Sequence, residues 1–526
     1  MAGMKTPAGS IATARGEAPL LSDAHDTDAR AAPSPAEAEY RANVRPPDWV
    51  NPDQAERYDL VILGGGPAGI AAARLAVELG ARVALVERGA LGGDSLNSGC
   101  IPSQTLAAAA RQMFRLRQAA AFGINSQPDP DAYYARATGR VRQAQATISR
   151  RNAARELSRL GIEVHFGDGR FTGADRIVVG DRELSFQQAL IATGGRQRPL
   201  GIGGTEGADY LLVDRILDLK TLPGRLMVVG GGSRGTQIAQ TYCRLGADVT
   251  LVQDAPYFMP EEEREAAQVL SAALASDGVR IRLDTAATAI RRDGDARIVT
   301  LQSGGRSSEV VVDRVLAAVG RMADVTGLDP AAAGIVVGED SSLEVDDFLC
   351  TANPRVHAAG DVCMARRHTQ VAEASARLAV LNALTGARRR ISDVVLPWCT
   401  HTDPEIAHVG LYITEAFARD LPLATYTVLM HQVDRAVTAG ERVGFAKIHT
   451  QLGTDRILGA TIVARDAGDI ISEVTLAMQR RAGLRSLAAA LTTFPSRSQT
   501  VQLAAQACVD CLRRAEGAGA AHPAQV

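Results

Sequence analysis

The sequence predicts an α/β fold built on two Rossmann-like units in tandem. Three observations carry that expectation. A short apolar run at 58–63 leads directly into Gly64-Gly65-Gly66-Pro67-Ala68-Gly69 and then into an Ala/Leu-rich segment at 70–79 with helical spacing. The same succession returns as 226–229, Gly230-Gly231-Gly232-Ser233-Arg234-Gly235 and 236–245. At 526 residues the chain is also too long for one core, and its 50 glycines with few aromatics suit many tight strand-to-helix turns.

Each element of the first unit has a mechanical reason. Gly64 permits the tight turn, Gly66 lets backbone approach a pyrophosphate, and Gly69 lets the helix pack on the sheet. The helix N-terminus supplies oriented N–H groups for phosphates. A second apolar strand at 82–86 ends in Glu87, 23 residues after Gly64 and placed to accept from a ribose hydroxyl. In the second unit Gly230, Gly232 and Gly235 repeat these roles, 248–252 is the following strand, and Gln253 holds the place of Glu87. Two dinucleotide sites imply two cofactors, most simply one flavin and one nicotinamide. Gln253 can bond a 2′-hydroxyl, while Asp254 would repel a 2′-phosphate, so NADH is favoured over NADPH. Between the units, 163–171 and 176–179 read as short strands, with Gly169 a candidate cofactor contact, and 199–207 reads as a glycine-rich linker.

Composition narrows the function. A net charge of -2 offers no field for nucleic acid or an anionic membrane. No stretch approaches the ~18 apolar residues of a membrane span. The seven cysteines, Cys100, Cys243, Cys350, Cys363, Cys399, Cys508 and Cys511, are scattered and odd in number, against a secreted disulfide framework. Residues 1–56 lack apolar periodicity and the pattern of a signal peptide, so a mostly disordered tail and a cytoplasmic protein are expected. Within that tail 43–52 carries Trp49 and turn residues and is expected to dock on the body.

The stretch Gly92-Gly93-Asp94-Ser95-Leu96-Asn97-Ser98-Gly99-Cys100-Ile101-Pro102-Ser103-Gln104 resembles the active-site turn of the class I pyridine nucleotide-disulfide oxidoreductases. In that family the turn holds two cysteines with four residues between them, then Ile/Val-Pro-Ser-Lys. The resemblance continues at 190–195, containing Thr193, where the family's chain leaves the flavin domain, and at 316–321, containing Gly320, where it returns. Residues 351–361 resemble the second flavin signature, whose acid, here Asp361, binds the ribityl chain. Residues 397–410 and 459–464 look like the dimer-forming domain of the mercuric-reductase-like branch.

This resemblance, spanning roughly 43 to 515, implies two Rossmann-like FAD/NAD(P)-binding domains plus a C-terminal α+β dimerisation domain. The expected division is a tail at 1–56, an FAD-binding domain at 57–198 and 320–395, an NAD(P)-binding domain at 199–319, a dimerisation domain at 396–515 and a short tail at 516–526. It further implies a homodimer in which the partner's C-terminal domain completes each active site. FAD and either NADH or NADPH are the implied cofactors.

Against that pattern, part of the redox machinery has been replaced. Cys100 remains, at a helix start whose positive end favours a thiolate, but the first cysteine position is Ser95, and a hydroxyl forms no disulfide. The family's lysine is Gln104 and its glutamate partner Gln237, so an ion pair by the flavin ring has become two amides able to hydrogen-bond. Losing one partner alone would leave a buried charge at a cost of about 3 to 5 kcal/mol, which losing both avoids. In the C-terminal acid-base segment the family's His and Glu are Phe494 and Gln499. Cys508 and Cys511, three apart on a predicted helix, invite comparison with the C-terminal cysteine pair by which mercuric reductases pass metal onward.

The expected activity is therefore an FAD-dependent NAD(P)H oxidoreductase passing electrons to a small-molecule or metal-ion acceptor, such as a quinone, a metal ion or oxygen. The rivals are mercuric reduction with Cys100 and a C-terminal cysteine, oxidation of a small metabolite, and a non-catalytic flavoprotein dimer.

Overall fold

The computed structural model describes residues 33–53, 56–124, 128–206 and 208–520, with the side chains of 517–520 excepted. Of the tails expected at 1–56 and 516–526, residues 1–32 and 521–526 lie outside the described residues. Tyr58–Leu63, buried at every position but Asp59, is the central strand of a seven-stranded sheet. It pairs in parallel with Val83–Glu87 on one side and with the second half of Arg182–Ile191 on the other. Ile162–Phe166 and Val356–Ala358 extend the parallel sheet at either side. The first half of Arg182–Ile191 runs antiparallel to Arg176–Val179, which pairs with Gly169–Gly173. The single strand expected at 163–171 is thus two, because the chain turns out of the parallel sheet at Gly167, whose N–H donates to the Glu87 carbonyl at 3.0 Å.

The second unit is a five-stranded parallel sheet in the order Arg280–Arg282, Asp248–Val252, Arg225–Val229, Arg314–Ala317, Leu211–Leu212. An antiparallel three-stranded sheet, Ala286–Asp293, Ala296–Ser303 and Arg306–Val312, is inserted in the chain between Arg280–Arg282 and Arg314–Ala317. The chain leaves the first unit through Gly195–Gln197 and returns through Arg321–Ala323. These two crossings pair antiparallel as one ribbon, Gln197 opposite Arg321.

The remainder is an antiparallel sheet in the order Pro397–Thr400, Glu405–Gly410, Ile457–Ala464, Phe445–Gln451, Leu423–Leu429, packed against the helices Ala467–Gln479 and Gln499–Ala520. Among the described residues no helix is long and apolar enough to cross a membrane.

Upstream of the first strand, an arm lies on the body. Helix Pro35–Val44 starts at Ser34, whose hydroxyl accepts from the Glu37 N–H, with Pro35 at the first position. Its Tyr40 hydroxyl donates to Asn97 at 2.5 Å, Asn43 donates to Ser149, and the Val44 carbonyl accepts from the Leu91 N–H at 3.0 Å. Trp49 donates to the Val164 carbonyl and meets Phe166 edge-on, while Asn51 bonds both backbone groups of Phe166. The docked part therefore begins before 43, because Tyr40 and Val44 share the face turned to the body.

One ion cluster joins the second unit to the C-terminal domain. Arg244, 5 % exposed, donates to Asp277 at 2.8 Å and to Asp403 at 2.7 Å. Gln240 clasps both backbone groups of Asp403 at 2.8 Å. Burial pushes the Asp403 carboxyl up, but Arg244 outweighs it and holds the group below its ordinary value near 3.8. Replacing Arg244 by Met leaves buried carboxylates without their cation, at a cost of about 3 to 5 kcal/mol. Chemical denaturation at pH 7 should show that loss. A depressed carboxyl contributes stability above its unfolded pKa and loses it as pH falls through the folded value. The gap between R244M and the parent should therefore narrow below about pH 4.

Candidate active site

The parallel register brings the carboxyl ends of the first sheet's strands level. Leu63 lies opposite both Val86 and Ile191, and Ile191 opposite Ala358, so Gly64, Glu87, Thr193 and Asp361 emerge on one side. Gly64 sits at φ +106°, and a Cβ there would lie 2.3 Å from the Ala192 carbonyl oxygen. A Cβ on Gly69 would fall 1.8 Å from the Gly64 oxygen. On Gly66, by contrast, the nearest atom would be 3.7 Å away, so the middle of the turn is open. The second unit repeats this division. Gly230 and Gly235 are closed by backbone at 2.4 and 2.1 Å, whereas a Cβ on Gly232 would meet nothing within 4 Å. Both turns are therefore cradles with open centres.

Glu87 and Gln253 each grip their own turn. Glu87 accepts from the Gly65 and Gly89 N–H groups, both at 2.6 Å, and Gln253 accepts from the Gly231 N–H at 2.6 Å. Burial raises the Glu87 carboxyl, and the two N–H groups oppose that. Free lone pairs remain for a ribose hydroxyl. Gly169 takes no part in either cradle. A Cβ there would lie 2.5 Å from the Leu63 side chain, so this glycine serves the close approach of the hairpin to the sheet, not contact with a cofactor.

Both cradles open on one cavity of about 960 Å³, at the upper end of the roughly 300–1,000 Å³ of small-molecule sites. Its wall includes Gly64, Gly66, Glu87, Ser95, Cys100 and Gln104 from the first part of the chain, and Thr193, Gly232, Gln237, Gly320 and Asp361 from the rest. Cys100 is the first residue of helix Cys100–Gln118 and is exposed to this space. Ser95 stands in the short helix Gly93–Asn97. The Thr369 hydroxyl joins them, 3.1 Å from Ser95 Oγ and 3.6 Å from Cys100 Sγ.

A half-buried charge cluster flanks this turn. Asp94 accepts from Arg234 at 2.6 Å, Arg321 at 3.0 Å and Ser98 at 2.7 Å, and Arg321 lies 3.3 Å from Asp361. Burial pushes the Asp94 carboxyl up, but Arg234 and Arg321 overcome it and hold it below its ordinary value. For Asp361 burial wins over Arg321, and its carboxyl is raised. Two neighbouring carboxyls are thus shifted in opposite directions.

The expected Gln104–Gln237 hydrogen bond is not formed. Gln237 Nε2, on helix Ser233–Leu245, is buried without a hydrogen-bond partner. Thr193 Oγ1 is likewise buried and unpartnered. Two orphaned polar atoms and two open cradles fit a bound dinucleotide flavin, whose polar groups would satisfy them. Phe494 is 77 % exposed, and neither it nor Gln499 lines this chain's own cavity. Cys508 is 0 % exposed in the core between helix Gln499–Ala520 and its sheet, Cys511 faces outward, and neither reaches the cavity.

Sequence reading missed Asp94, Arg234, Arg321 and Thr369 as members of the site. An arginine inside a glycine turn was a visible signal for Arg234. Nothing local marks Thr369, which meets Cys100 across 269 positions.

Comparison with known proteins places these features. The profile described as pyridine nucleotide-disulphide oxidoreductase matches residues 58–376, and that of the family's dimerisation domain matches 396–505. A mercuric reductase of Bacillus cereus is 31 % identical over 461 residues, covering 86 % of this chain and 72 % of the relative. A dihydrolipoyl dehydrogenase of Thermus scotoductus is 33 % identical over 453 residues, covering 86 % and 97 %. The Cu(II) complex of the HOCl-induced flavoprotein disulfide reductase RclA from Escherichia coli superposes with a TM-score of 0.76 at 26 % identity, covering 86 % of this chain and 100 % of that one.

The cradle geometry makes a paired prediction. Gly232→Ala projects its methyl into open space, so flavin content and melting should stay at parental values while the nucleotide Kd rises about tenfold or more. Gly235→Ala drives a methyl into the Gly230 backbone and should instead lower the melting temperature. Equilibrium titration beside thermal melts separates the two.

Proposed function

The chain belongs to the pyridine nucleotide-disulphide oxidoreductase family, and from that premise we propose that its electrons go to an acceptor other than a disulfide. Members of the family bind FAD and NAD(P)H, and the chain is an FAD-dependent oxidoreductase with a domain that provides for a homodimer. The observation that carries the proposal is the Ser95–Thr369–Cys100 chain of contacts. Disulfide exchange requires an attacking thiolate and a second sulfur to close on it, and the position that would supply that sulfur is a hydroxyl held by another hydroxyl.

Bound FAD supplies a two-electron store between nicotinamide and acceptor. The chain's own residues do the rest. The open turns at Gly66 and Gly232 present N–H groups to pyrophosphates, and Thr193 and Gln237 stand in the cavity wall. Cys100 holds its sulfur at a helix start, where the Thr369 hydroxyl can donate to it. Asp94 absorbs the charge of Arg234, so that guanidinium does not replace the cation missing at Gln104. Gln253, engaged through its oxygen with Gly231 and followed by Asp254, favours NADH. Among acceptors a metal ion is favoured, since relatives include mercuric reductases and a Cu(II) complex of RclA.

Anaerobic titration with NADH should bleach the flavin, and turnover should follow with Cu(II), Hg(II) or a quinone but not with lipoamide or glutathione disulfide. Steady disulfide turnover, or a flavin unmoved by either nucleotide, would falsify the proposal. The double variant Gln104→Lys, Gln237→Glu restores a charge pair by the ring and should raise the flavin potential. A potential equal to or below the parent's would show that the amide pair does not set it.

A further inference from the structure

The hairpin of Pro397–Thr400 and Glu405–Gly410 carries a group of side chains that the oxidoreductase reading leaves unused. Cys399 lies opposite Ala407 in the antiparallel register. With a period of two, Cys399, His401 and Glu405 therefore fall on one face of the hairpin. Their ligand atoms, one from each residue, all lie within 4.8 Å of one another, and His401 Nδ1 is 3.2 Å from Glu405 Oε1. The second carboxylate oxygen of Glu405 is held by the Gly468 N–H at 2.9 Å, which fixes the direction of the first. The carboxylates of Glu405, Glu262 and Asp469 make the field at the Cys399 sulfur negative. The nearby guanidinium of Arg111 is directed to Asp403 at 3.8 Å. All three side chains line the same cavity as Cys100.

We propose that Cys399, His401 and Glu405 form a binding site for one divalent metal ion of the borderline-soft class, Zn(II) or Cu(II), in the wall of the cofactor cavity. A thiolate, an imidazole and a carboxylate are the donor set these ions take, and a hard cation such as Mg(II) would not choose it. Tetrahedral ligation at ordinary bond lengths needs donors roughly 3.2 to 3.6 Å apart. The His401–Glu405 pair already meets that, and His401, 44 % exposed, is free to swing toward the sulfur. Three protein ligands leave the fourth position open to the cavity, where a water or a small acceptor can bind. The site stands whether or not a metal ion is the electron acceptor.

Titration of the full-length, flavin-loaded protein with Co(II), followed by competition with Zn(II), tests it. The result expected is one saturable site per chain with tetrahedral cobalt bands and a sulfur-to-cobalt charge-transfer band, all displaced by Zn(II). Cys399→Ser should abolish the charge-transfer band. His401→Ala, a change at a half-exposed position that leaves the core intact, should weaken Co(II) binding at least tenfold. The bands should persist in Cys100→Ser and in the Cys508→Ser, Cys511→Ser double variant. Binding lost in Cys100→Ser and kept in Cys399→Ser would overturn the proposal, as would no saturation below millimolar Co(II) or affinity unchanged in His401→Ala.

Discussion

Two parallel sheets must aim the carboxyl ends of their strands at one space, and the ribbon of Gly195–Gln197 with Arg321–Ala323 meets that requirement. Each strand end carries the binding groups of its own unit, so a site shared by the two exists only if both crossings are held in register. The ribbon also delivers Arg321 beside Asp94 and Asp361, where it lies at 3.0 and 3.3 Å. Arg234 reaches the same Asp94 from the second unit. The connection that fixes the geometry is thus also the connection that carries charge into the cavity. Arg244 and Asp403 do the corresponding work at the far side, where the second unit meets the C-terminal sheet.

The replaced positions form a pattern of neutralisation. On the proposed reading Ser95 stands at a thiol position, Gln104 and Gln237 stand at the positions of an ammonium and a carboxylate, and the acid-base segment holds Phe494 and Gln499. Each substitution removes a proton or charge that thiol exchange would use, while the glycine cradles, which serve cofactor binding alone, keep their steric demands. Charge has not vanished from the cavity. It stands at Asp94, which Arg234 and Arg321 both engage.

What the sequence made legible and what it hid follow from range. The glycine turns were readable because their constraint is local: backbone oxygens of the same or the adjacent strand exclude a Cβ at Gly64, Gly69, Gly230 and Gly235. The strand at 248–252 and the helix after Gly232 were readable for the same reason, since apolar period and turn chemistry agree there. Gly169 was misread because a glycine that admits a side chain of the sheet looks, in one dimension, like one that admits a ligand. Gln104 and Gln237 both line the cavity, but whether two amides meet depends on the relative setting of two helices. Thr369 could not have been found, since its meaning lies wholly in what sits across the cavity. The Cys508 and Cys511 spacing suggested a ligand pair, but a helix turns one of two such residues inward wherever its apolar face needs filling.

The arm of residues 33–53 meets the body at a telling place. Tyr40 bonds Asn97 and Val44 bonds Leu91, while the match to the family profile begins at residue 58. The loop bearing Ser95 and Cys100 is therefore braced by chain that precedes the matched stretch. A brace of this kind acts as a mechanical linkage, in which a load applied to the N-terminal segment is carried by the turn that holds Cys100. The stiffness of that loop can consequently change over evolutionary time through Tyr40 and its neighbours, with no alteration to the cradles or to any residue that touches a cofactor.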